Sequence, residues 1–520
     1  MGGAADERSV IGTALSPSIQ ESKQAPSDVP AAVDFKRKSV RGGAVAVLAQ
    51  AAGMVMQIGS TVVLARLLAP SDYGLQSMVF TLTAFVSLFK DGGLSVASVQ
   101  RENLTHEQIS TLFWINVGLG ILLTLVVAAM GPILVAFYKE PRLLWLTIAS
   151  ATIFFFNSLA IQHRALLDRS MRFATSAKID ILCGVVGTII VIGMAILGFG
   201  YWALICQNIS LPIVGTLAVW IAMPWKPGRP RWTPEMRSMV HFGSTVTLNG
   251  LVVYFAYNTE KILLGRYWGA GSLGIYGRAF QLATLPVQQL IGAVHIVAFA
   301  VLSRMQSEGD RLRRAYLKSL SLIVSLTVPV VICSSLFAYE IVQVMLGPKW
   351  LASIPVLRLL APTVMVFALV NPFSWFMRAT GQVGRSLKIA LLICPVVILG
   401  VLAGLRKGPP GVAMGYSAAM VLLFVPIVAW AIHGTGITAR EYWDAVKRPL
   451  IAGVCGGVAG WLVQAGCRNS LSSIPLLTAE FGTSSLVYVI VLLFVMGQKN
   501  FYFDVARQIF NRGPQPTAVG

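Results

Sequence analysis

The sequence predicts an all-α polytopic membrane protein with about 14 transmembrane helices, and three observations support this class. Of the 520 residues, 56% are apolar and only 12% are charged, whereas soluble proteins carry about 25% charged residues. Apolar runs of about 20 residues, long enough to cross the hydrocarbon core of a bilayer, recur along most of the chain. Basic residues gather in alternate loops, as they do on the cytoplasmic side of membrane proteins.

The order of apolar and polar segments predicts the domain organisation. Residues 1–39 are polar and rich in Ser, Pro and Ala, which predicts a disordered cytoplasmic tail. The predicted parts that follow are a six-span lobe (40–223), a cytoplasmic linker (224–238), a second six-span lobe (239–433), a C-terminal helix pair (434–497) and a cytoplasmic tail (498–520). The predicted spans are 43–65, 75–97, 112–136, 142–163, 179–198, 200–223, 239–264, 274–302, 320–345, 352–377, 387–405, 411–433, 449–467 and 474–497.

Loop charges predict the orientation of these spans. With the N-terminus inside, 27 Lys and Arg residues fall in inner flanks and loops and eight in outer ones. This asymmetry is the positive-inside pattern, so both termini are expected in the cytoplasm. The pattern also accounts for the net charge of +20. No basic run is interleaved with stacking aromatics, so we expect no nucleic-acid partner.

An internal repeat relates the two predicted lobes. The stretch ARLLAPSDYGL, residues 65–75 of the chain, recurs as GRYWGAGSLGI at 265–275, an offset of 200 residues. In both places a span ends in Arg, a short loop follows, and Gly opens the next span. Repeats that are six spans apart keep the same membrane orientation, which predicts two parallel six-helix lobes. Arg66 and Arg266 could also match merely because both snorkel to the outer headgroups, but snorkelling does not explain the matched glycine.

Several function classes lack their sequence signals. No GxxxxGK[ST] loop for ATP is present, and neither HExxH nor GxSxG occurs. The six cysteines form no CxxC pair, so neither a disulfide framework nor a metal site is indicated. The predicted outer loops are too short for a catalytic domain. We therefore expect a protein that is not an enzyme and needs no cofactor.

Several motifs resemble the Wzx-type polysaccharide flippases, which belong to the multidrug/oligosaccharidyl-lipid/polysaccharide (MOP) exporter superfamily. The likeness is dense from residue 38 to about 225 and weaker, but collinear, to about 435. One departure is Gly92-Gly93, where the family usually has Leu-Gly after an Asp. The motifs that carry the resemblance are Lys38–Gly43, LARLLAPSDYGL, Asp91–Leu94, Ser110–Trp114, Phe137–Pro141 and Arg164–Phe173.

The resemblance implies a transporter for the export of exopolysaccharide, O-antigen or capsule. Such proteins flip oligosaccharide repeat units, linked to undecaprenyl pyrophosphate, across the bacterial inner membrane. It also implies two lobes around a central cavity that opens alternately to each side. The C-terminal helix pair fits members with a groove for the lipid tail. The implied partners are the lipid-linked oligosaccharide, the bilayer, and polysaccharide polymerase and chain-length or export proteins.

Intramembrane polar and charged residues are the candidates for binding this substrate, because such groups are costly in lipid and usually face a bundle interior. Lys261 and Arg278 are the first candidates for the pyrophosphate, which cations hold through charge-assisted hydrogen bonds. A polar face with roughly helical spacing is expected to line one cavity wall, and it comprises Asn249, Tyr254, Tyr257, Asn258 and Lys261. Structural ion pairing near the outer end of the span is the competing interpretation. The full set of substrate candidates is Lys261, Arg278, Arg66, Arg266, Asn249, Asn258 and Gln57.

Without an ATP site, transport must be driven by an ion gradient, the membrane potential or removal of product. Glu260, Asp91 and Asp180 are the candidates for ion coupling. Glu260 could instead form a structural pair with a nearby cation. Asp91 and Asp180 lie near inner span ends, where neutralisation at the interface is the competing explanation.

Other functions stay open at the level of the sequence. A drug or cation antiporter of the same superfamily would more naturally have 12 spans and an acidic cavity. A membrane polymerase or ligase would act on the same lipid carrier but would need larger outer loops. A scaffold that does not transport would tolerate neutralisation of Lys261 and Arg278.

Overall fold

The computed structural model describes residues 53–89, 105–170, 172–230, 234–304, 309–379 and 383–510. Within these ranges the chain is helical and contains no β-strand, which confirms the all-α prediction. Ten of the described helices are long and apolar enough to cross a bilayer. The protein is therefore a multi-pass membrane protein, while the count of 14 spans stays a prediction.

The helices are numbered α1 to α16 in chain order. They are Gly53–Leu67 (α1), Pro70–Ser87 (α2), His106–Ala129 (α3), Gly131–Tyr138 (α4), Leu143–Arg169 (α5), Phe173–Ile196 (α6), Tyr201–Ala222 (α7), Pro234–Arg304 (α8), Gly309–Leu336 (α9), Ala338–Met345 (α10), Ser353–Ala379 (α11), Val383–Leu405 (α12), Gly408–Ile432 (α13), Ala439–Cys467 (α14), Ser473–Ile490 (α15) and Lys499–Phe510 (α16). Short 3₁₀ and π turns follow at Pro348–Trp350 and Val491–Val495.

Helix α2 begins at Pro70, ahead of the predicted start at 75. Pro fits the first turn of a helix, where its missing N–H has no partner to lose. The Asp72 carboxylate accepts a hydrogen bond from the backbone N–H of Ala69 at 2.9 Å, which caps the helix. The sequence Ala-Pro-Ser-Asp therefore contains signals for the start of a helix, but a prediction from hydropathy alone does not use them.

The range labelled α8 comprises two helices, which correspond to the predicted spans 239–264 and 274–302 and meet at a kink. The connection is shorter than the predicted loop 265–273, because only Gly269 leaves the helical conformation, with a φ of 74°. Glycine adopts this left-handed conformation without the clash that a Cβ would cause. The chain therefore reverses at a single kink.

Helix α14 begins at Ala439, well before the predicted start at 449. Thr438 and Glu441 form a capping box in which each side chain accepts the other residue's backbone N–H. The first turns of this helix are polar and precede its apolar run. A prediction from hydropathy therefore underestimates the length of the helix. Part of the predicted tail 498–520 is likewise helical, as α16.

Helices α2 and α8 make the most extensive packing contact in the described structure. They cross at the two glycines of the repeat. A Cβ built on Gly74 would overlap the carbonyl oxygen of Ala270, and a Cβ on Gly274 would overlap that of Pro70. The offset of 200 relates position 70 to 270 and position 74 to 274. The contact of Gly74 with Ala270 and the contact of Gly274 with Pro70 therefore correspond to each other under the repeat. Small residues allow transmembrane helices to approach this closely.

The same end of the bundle carries a second reciprocal contact. Arg66 donates to the carbonyl oxygen of Val344 at 3.0 Å, and buried Trp350 donates to that of Ala65 at 2.8 Å. At the repeat-related position, the Arg266 guanidinium lies 5.7 Å from the Phe137 ring centroid. The end of the first predicted span of the first lobe thus packs against the third span of the second lobe. The end of the first span of the second lobe likewise packs beside the end of the third span of the first lobe.

The turn between α4 and α5 lies at this end, outside the spanning helices. Lys139 ends α4 in the left-handed region, with a φ of 56°. Arg142 hydrogen-bonds the Glu140 carboxylate at 2.7 Å and holds the pKa of Glu140 below its usual range. Both groups therefore stay charged at neutral pH and neutralise each other.

The segment after α7 is fixed to the first group of helices. The indole of Trp225 donates to His106 Nδ1 at 3.2 Å, while the Trp225 carbonyl lies 3.1 Å from His163 Nε2. The Trp114 indole donates to the carbonyl of Gly228 at 2.9 Å. The beginning of the predicted linker is thus docked rather than free.

We expect Gly74→Ala and Gly274→Ala each to destabilise the protein strongly, because the added methyl group meets backbone that cannot rotate away. The expected cost is about 3 kcal/mol, the upper end of typical overpacking penalties. The measurement is the melting temperature of the purified protein in detergent. Gly271→Ala on α8 is the matched control, since a Cβ there meets nothing within 4 Å. Equal melting temperatures for Gly74→Ala and Gly271→Ala would contradict the close crossing.

Candidate functional site

A polar cavity of about 400 Å³ lies beside the glycine crossing, between α1, α2, α7 and the second half of α8. We call it the central cavity. Amide and hydroxyl side chains dominate its wall, together with one guanidinium. The lining residues are Gln57, Ser60, Thr61, Leu64, Tyr73, Gln76, Ser77, Phe80, Leu204, Gln207, Asn208, Leu211, Gly274, Gly277, Arg278 and Gln281.

Arg278 is the cation of the central cavity. Its guanidinium stacks on the Tyr73 ring, 3.6 Å from the centroid, and donates to Gln281 Oε1 at 2.5 Å. Within the described ranges no carboxylate forms a salt bridge with it. Arg278 is half-buried, and a cation without an acidic partner is costly inside a membrane span, where such groups usually serve a ligand. The site is therefore suited to an anion.

An apolar groove of about 500 Å³ opens on the other side of Arg278. It lies between α1, α8, α9, α10 and α15, and its exposed wall is almost entirely apolar. Gln57, Thr61, Arg278 and Gln281 line both this groove and the central cavity, so the two spaces adjoin at these side chains. The groove lining also includes Leu282, Leu285, Val330, Ile341, Met345, Leu477, Thr478 and Phe481.

A third space of about 620 Å³ lies between α2, α5, α6 and α7. We call it the side cavity. Gln76, Phe80, Asn208 and Leu211 line both the side cavity and the central cavity. The three spaces therefore adjoin one another in the order side cavity, whose two charged side chains pair with each other, central cavity with Arg278, and apolar groove.

The sequence candidates fall into different places. Arg278 and Gln57 line the central cavity, as expected of substrate-binding residues. Arg66 and Arg266 are absent from its lining and pack at the end of the bundle, on Val344 and Phe137. The contacts of these two arginines fit a packing role rather than substrate binding.

Lys261, Asn258 and Glu260 form a cluster on the first half of α8. Lys261 Nζ donates to Asn258 Oδ1 at 2.9 Å and lies 3.9 Å from Glu260 Oε1. Its ammonium also lies 5.3 Å from the centroid of the Phe280 ring, on the second half of the helix. Glu260 is fully buried. These contacts tie the two halves of α8 together, and none of the three residues lines the central cavity.

The remaining candidates are an aspartate at the edge of the side cavity and two residues that the structure does not describe at side-chain level. Asp180 pairs with Arg164 at 2.7 Å, and both side chains are exposed where they line the side cavity. This pairing is the neutralisation that competes with a coupling role. Asp91 lies outside the described residues, and Asn249 belongs to α8 without a described side chain.

Sequence reasoning missed Gln76, Phe80 and Asn208 in the cavity walls. Gln76 and Phe80 are four residues apart on α2 and therefore share one face. Gln207 and Asn208 interrupt an apolar run in α7, and polar residues within a span were the available signal. Phe80 carried no signal, because an aromatic residue in an apolar helix is indistinguishable from core.

Curated relatives cover most of the chain. It is 24% identical to the teichuronic acid biosynthesis protein TuaB of Bacillus subtilis, over 84% of this chain and 92% of that protein. It is 24% identical to the lipopolysaccharide biosynthesis protein WzxC of Escherichia coli, over 75% and 80%. The succinoglycan biosynthesis transport protein ExoT of Rhizobium meliloti is 22% identical over 83% and 88%.

Solved structures share the fold. The lipid II flippase MurJ in its inward closed conformation matches with a TM-score of 0.70 at 14% identity, over 89% of this chain and 99% of that chain. An inward-facing multidrug resistance MATE transporter of the MOP superfamily matches with a TM-score of 0.60 at 15% identity, over 76% and 96%. At these identities the likeness concerns the fold.

The family itself is identified by a sequence model. The model described as polysaccharide biosynthesis protein matches residues 63–355, which include the glycine crossing, most of the central-cavity lining and all of α8 to α10. Since this match covers more than half of the chain, the protein belongs to the polysaccharide biosynthesis protein family.

Proposed function

We propose that the protein is a flippase that moves undecaprenyl-pyrophosphate-linked oligosaccharide across the bacterial inner membrane. The observation that carries this proposal is the position of Arg278 between a polar cavity and an apolar groove. Such a substrate has three chemically distinct parts, namely sugars, a pyrophosphate and a long isoprenoid chain. The three adjoining spaces offer amides, a cation and apolar side chains in the matching order.

The transport mechanism that we propose is alternating access between two lobes. The first lobe comprises residues 40–223 and the second 239–433, with 14 spans in all and both termini cytoplasmic. The reciprocal crossing of α2 and α8 supports a pair of repeat-related lobes. Loop charges support the orientation, which puts the Arg66 and Arg266 contacts on the outer side. In this state the lobes would be held together on that side.

The pyrophosphate is proposed to bind Arg278, and the isoprenoid chain to lie in the apolar groove. Arginine offers several N–H donors in a plane, a geometry that suits phosphate oxygens. Burial of a chain of methyl and methylene groups in an apolar groove is favourable without directional contacts. The groove wall includes α15, which gives the C-terminal helix pair a direct part in binding.

We expect Arg278→Gln to abolish flipping, since it removes the cation while leaving an amide of similar length. In a deletion strain the lipid-linked oligosaccharide should accumulate on the cytoplasmic leaflet, and Arg278→Gln should fail to clear it. Arg278→Lys should restore flipping partly, because it keeps the charge but not the planar set of donors. The readout is the leaflet distribution of lipid-linked oligosaccharide.

Arg406→Gln, in the exposed turn between α12 and α13, is the matched control and should restore flipping fully. If unpolymerised repeat units already reach the outer leaflet in the deletion strain, the flippase proposal is wrong and a polymerase or ligase takes its place. If Arg278→Gln clears the substrate as wild type does, the pyrophosphate assignment is wrong.

We expect Thr478→Trp to block the groove by filling it with an indole from α15. Flipping of the full-length carrier should fall at least about tenfold, equivalent to about 1.4 kcal/mol. Binding of a short-chain geranyl pyrophosphate to the purified protein should stay near wild type. Thr478→Ser, which adds no volume, is the control. Equal loss for short and long chains would argue against a tail in this groove.

We also propose that Glu260 couples an ion to the movement of α8. The support is a fully buried carboxylate that holds the two halves of a kinked helix through Lys261 and Phe280. We expect Glu260→Gln to flatten the dependence of flipping on external pH in reconstituted vesicles, while substrate binding persists. An unchanged pH dependence would assign Glu260 a structural role.

A further inference from the structure

We propose that the side cavity is a saccharide subsite in which the ring of Phe80 stacks on a sugar and the amides of Gln76 and Asn208 hydrogen-bond its hydroxyls. This inference rests on the proposed flippase function and specifies which part of the protein holds the sugars. Phe80 stands at the junction of the side and central cavities, since it lines both.

The exposure of Phe80 is the first observation. Its side chain is 60% exposed, yet it lines two internal cavities. An aromatic ring on a cavity wall loses the packing contacts that normally stabilise it in a core. A ligand with an apolar face regains them. The C–H groups on one face of a pyranose ring form such a surface, and aromatic side chains bury a large area against it.

The second observation is the set of amides around that ring. Gln76 lies one helical turn before Phe80 on α2, and Asn208 belongs to α7 on the opposite wall. Asn157 on α5 lines the side cavity further in, and its amide nitrogen is held by the carbonyl of Ile153 at 2.9 Å. An amide can both donate and accept, as sugar hydroxyls do. An aromatic platform flanked by amides is suited to a sugar.

Charge separates this subsite from the pyrophosphate site. Arg164 and Asp180 are the charged side chains in the described lining of the side cavity, and they neutralise each other at 2.7 Å. The cavity is therefore suited to an uncharged sugar, whereas an anion would favour Arg278. The volume of about 620 Å³ lies within the range of small-molecule sites.

The experiment compares two probes on the purified full-length protein. One is undecaprenyl pyrophosphate without sugar, and the other is the lipid-linked oligosaccharide extracted from the strain that produces this protein. We expect Phe80→Ala and Phe80→Leu to weaken the glycosylated probe about tenfold, which corresponds to about 1.4 kcal/mol. The same variants should change the affinity for the sugar-free carrier less than about twofold, because the ring touches only the sugar.

Phe80→Tyr keeps the ring face and should bind both probes like wild type. Phe199→Ala, which removes an exposed ring in the turn between α6 and α7, is the matched control and should also behave like wild type. Arg278→Gln should weaken both probes, since both carry the pyrophosphate.

Three results would overturn the inference. Equal weakening of both probes by Phe80→Ala indicates a general distortion of the cavity. No weakening of either probe shows that the ring does not touch the sugar. If the wild-type protein binds neither probe, the flippase proposal itself fails, and the saccharide subsite fails with it.

Discussion

The close crossing of α2 and α8 is the contact on which the rest of the described structure depends. Two glycines from repeat-related positions remove the side chains that would otherwise hold the helices apart. Backbone meets backbone there, and the central cavity begins directly beside the contact, with Gly274 and Gly277 in its wall. Small residues at such a contact let transmembrane helices approach until their backbones touch.

The chemistry of the three spaces follows from which helices enclose them. Helices α2 and α7 contribute amides to the walls of both cavities that they share, which makes these walls polar. Helices α9, α10 and α15 contribute Val, Ile, Leu and Phe, so the groove they share is apolar. Arg278 lies where the two kinds of wall meet, and its stacking on Tyr73 holds the guanidinium in place. The gradient from polar to apolar thus comes from ordinary helix packing.

Composition and loop charge were sufficient to predict a helical membrane protein, and the repeat pointed to the paired glycines. The sequence could not separate Arg278 from Arg66, because both are cations close to the ends of predicted spans. The difference lies in a partner that is distant in sequence, since Arg66 bonds Val344 while Arg278 faces a cavity. The position of Phe80 on a cavity wall could not be predicted from the sequence for the same reason. Local patterns predict helices, whereas the use of each helix face depends on neighbours far along the chain.

The offset of 200 residues also governs how the protein is made. Gly74 enters the membrane long before Ala270 and Gly274 are synthesised, so α2 cannot form its principal contact when it is inserted. At roughly 5–20 residues per second, the wait lasts about 10–40 s. During that time the bare face of α2 is exposed to lipid or to other nascent helices. The rate of translation and the insertion machinery therefore contribute to the correct pairing of α2 with α8.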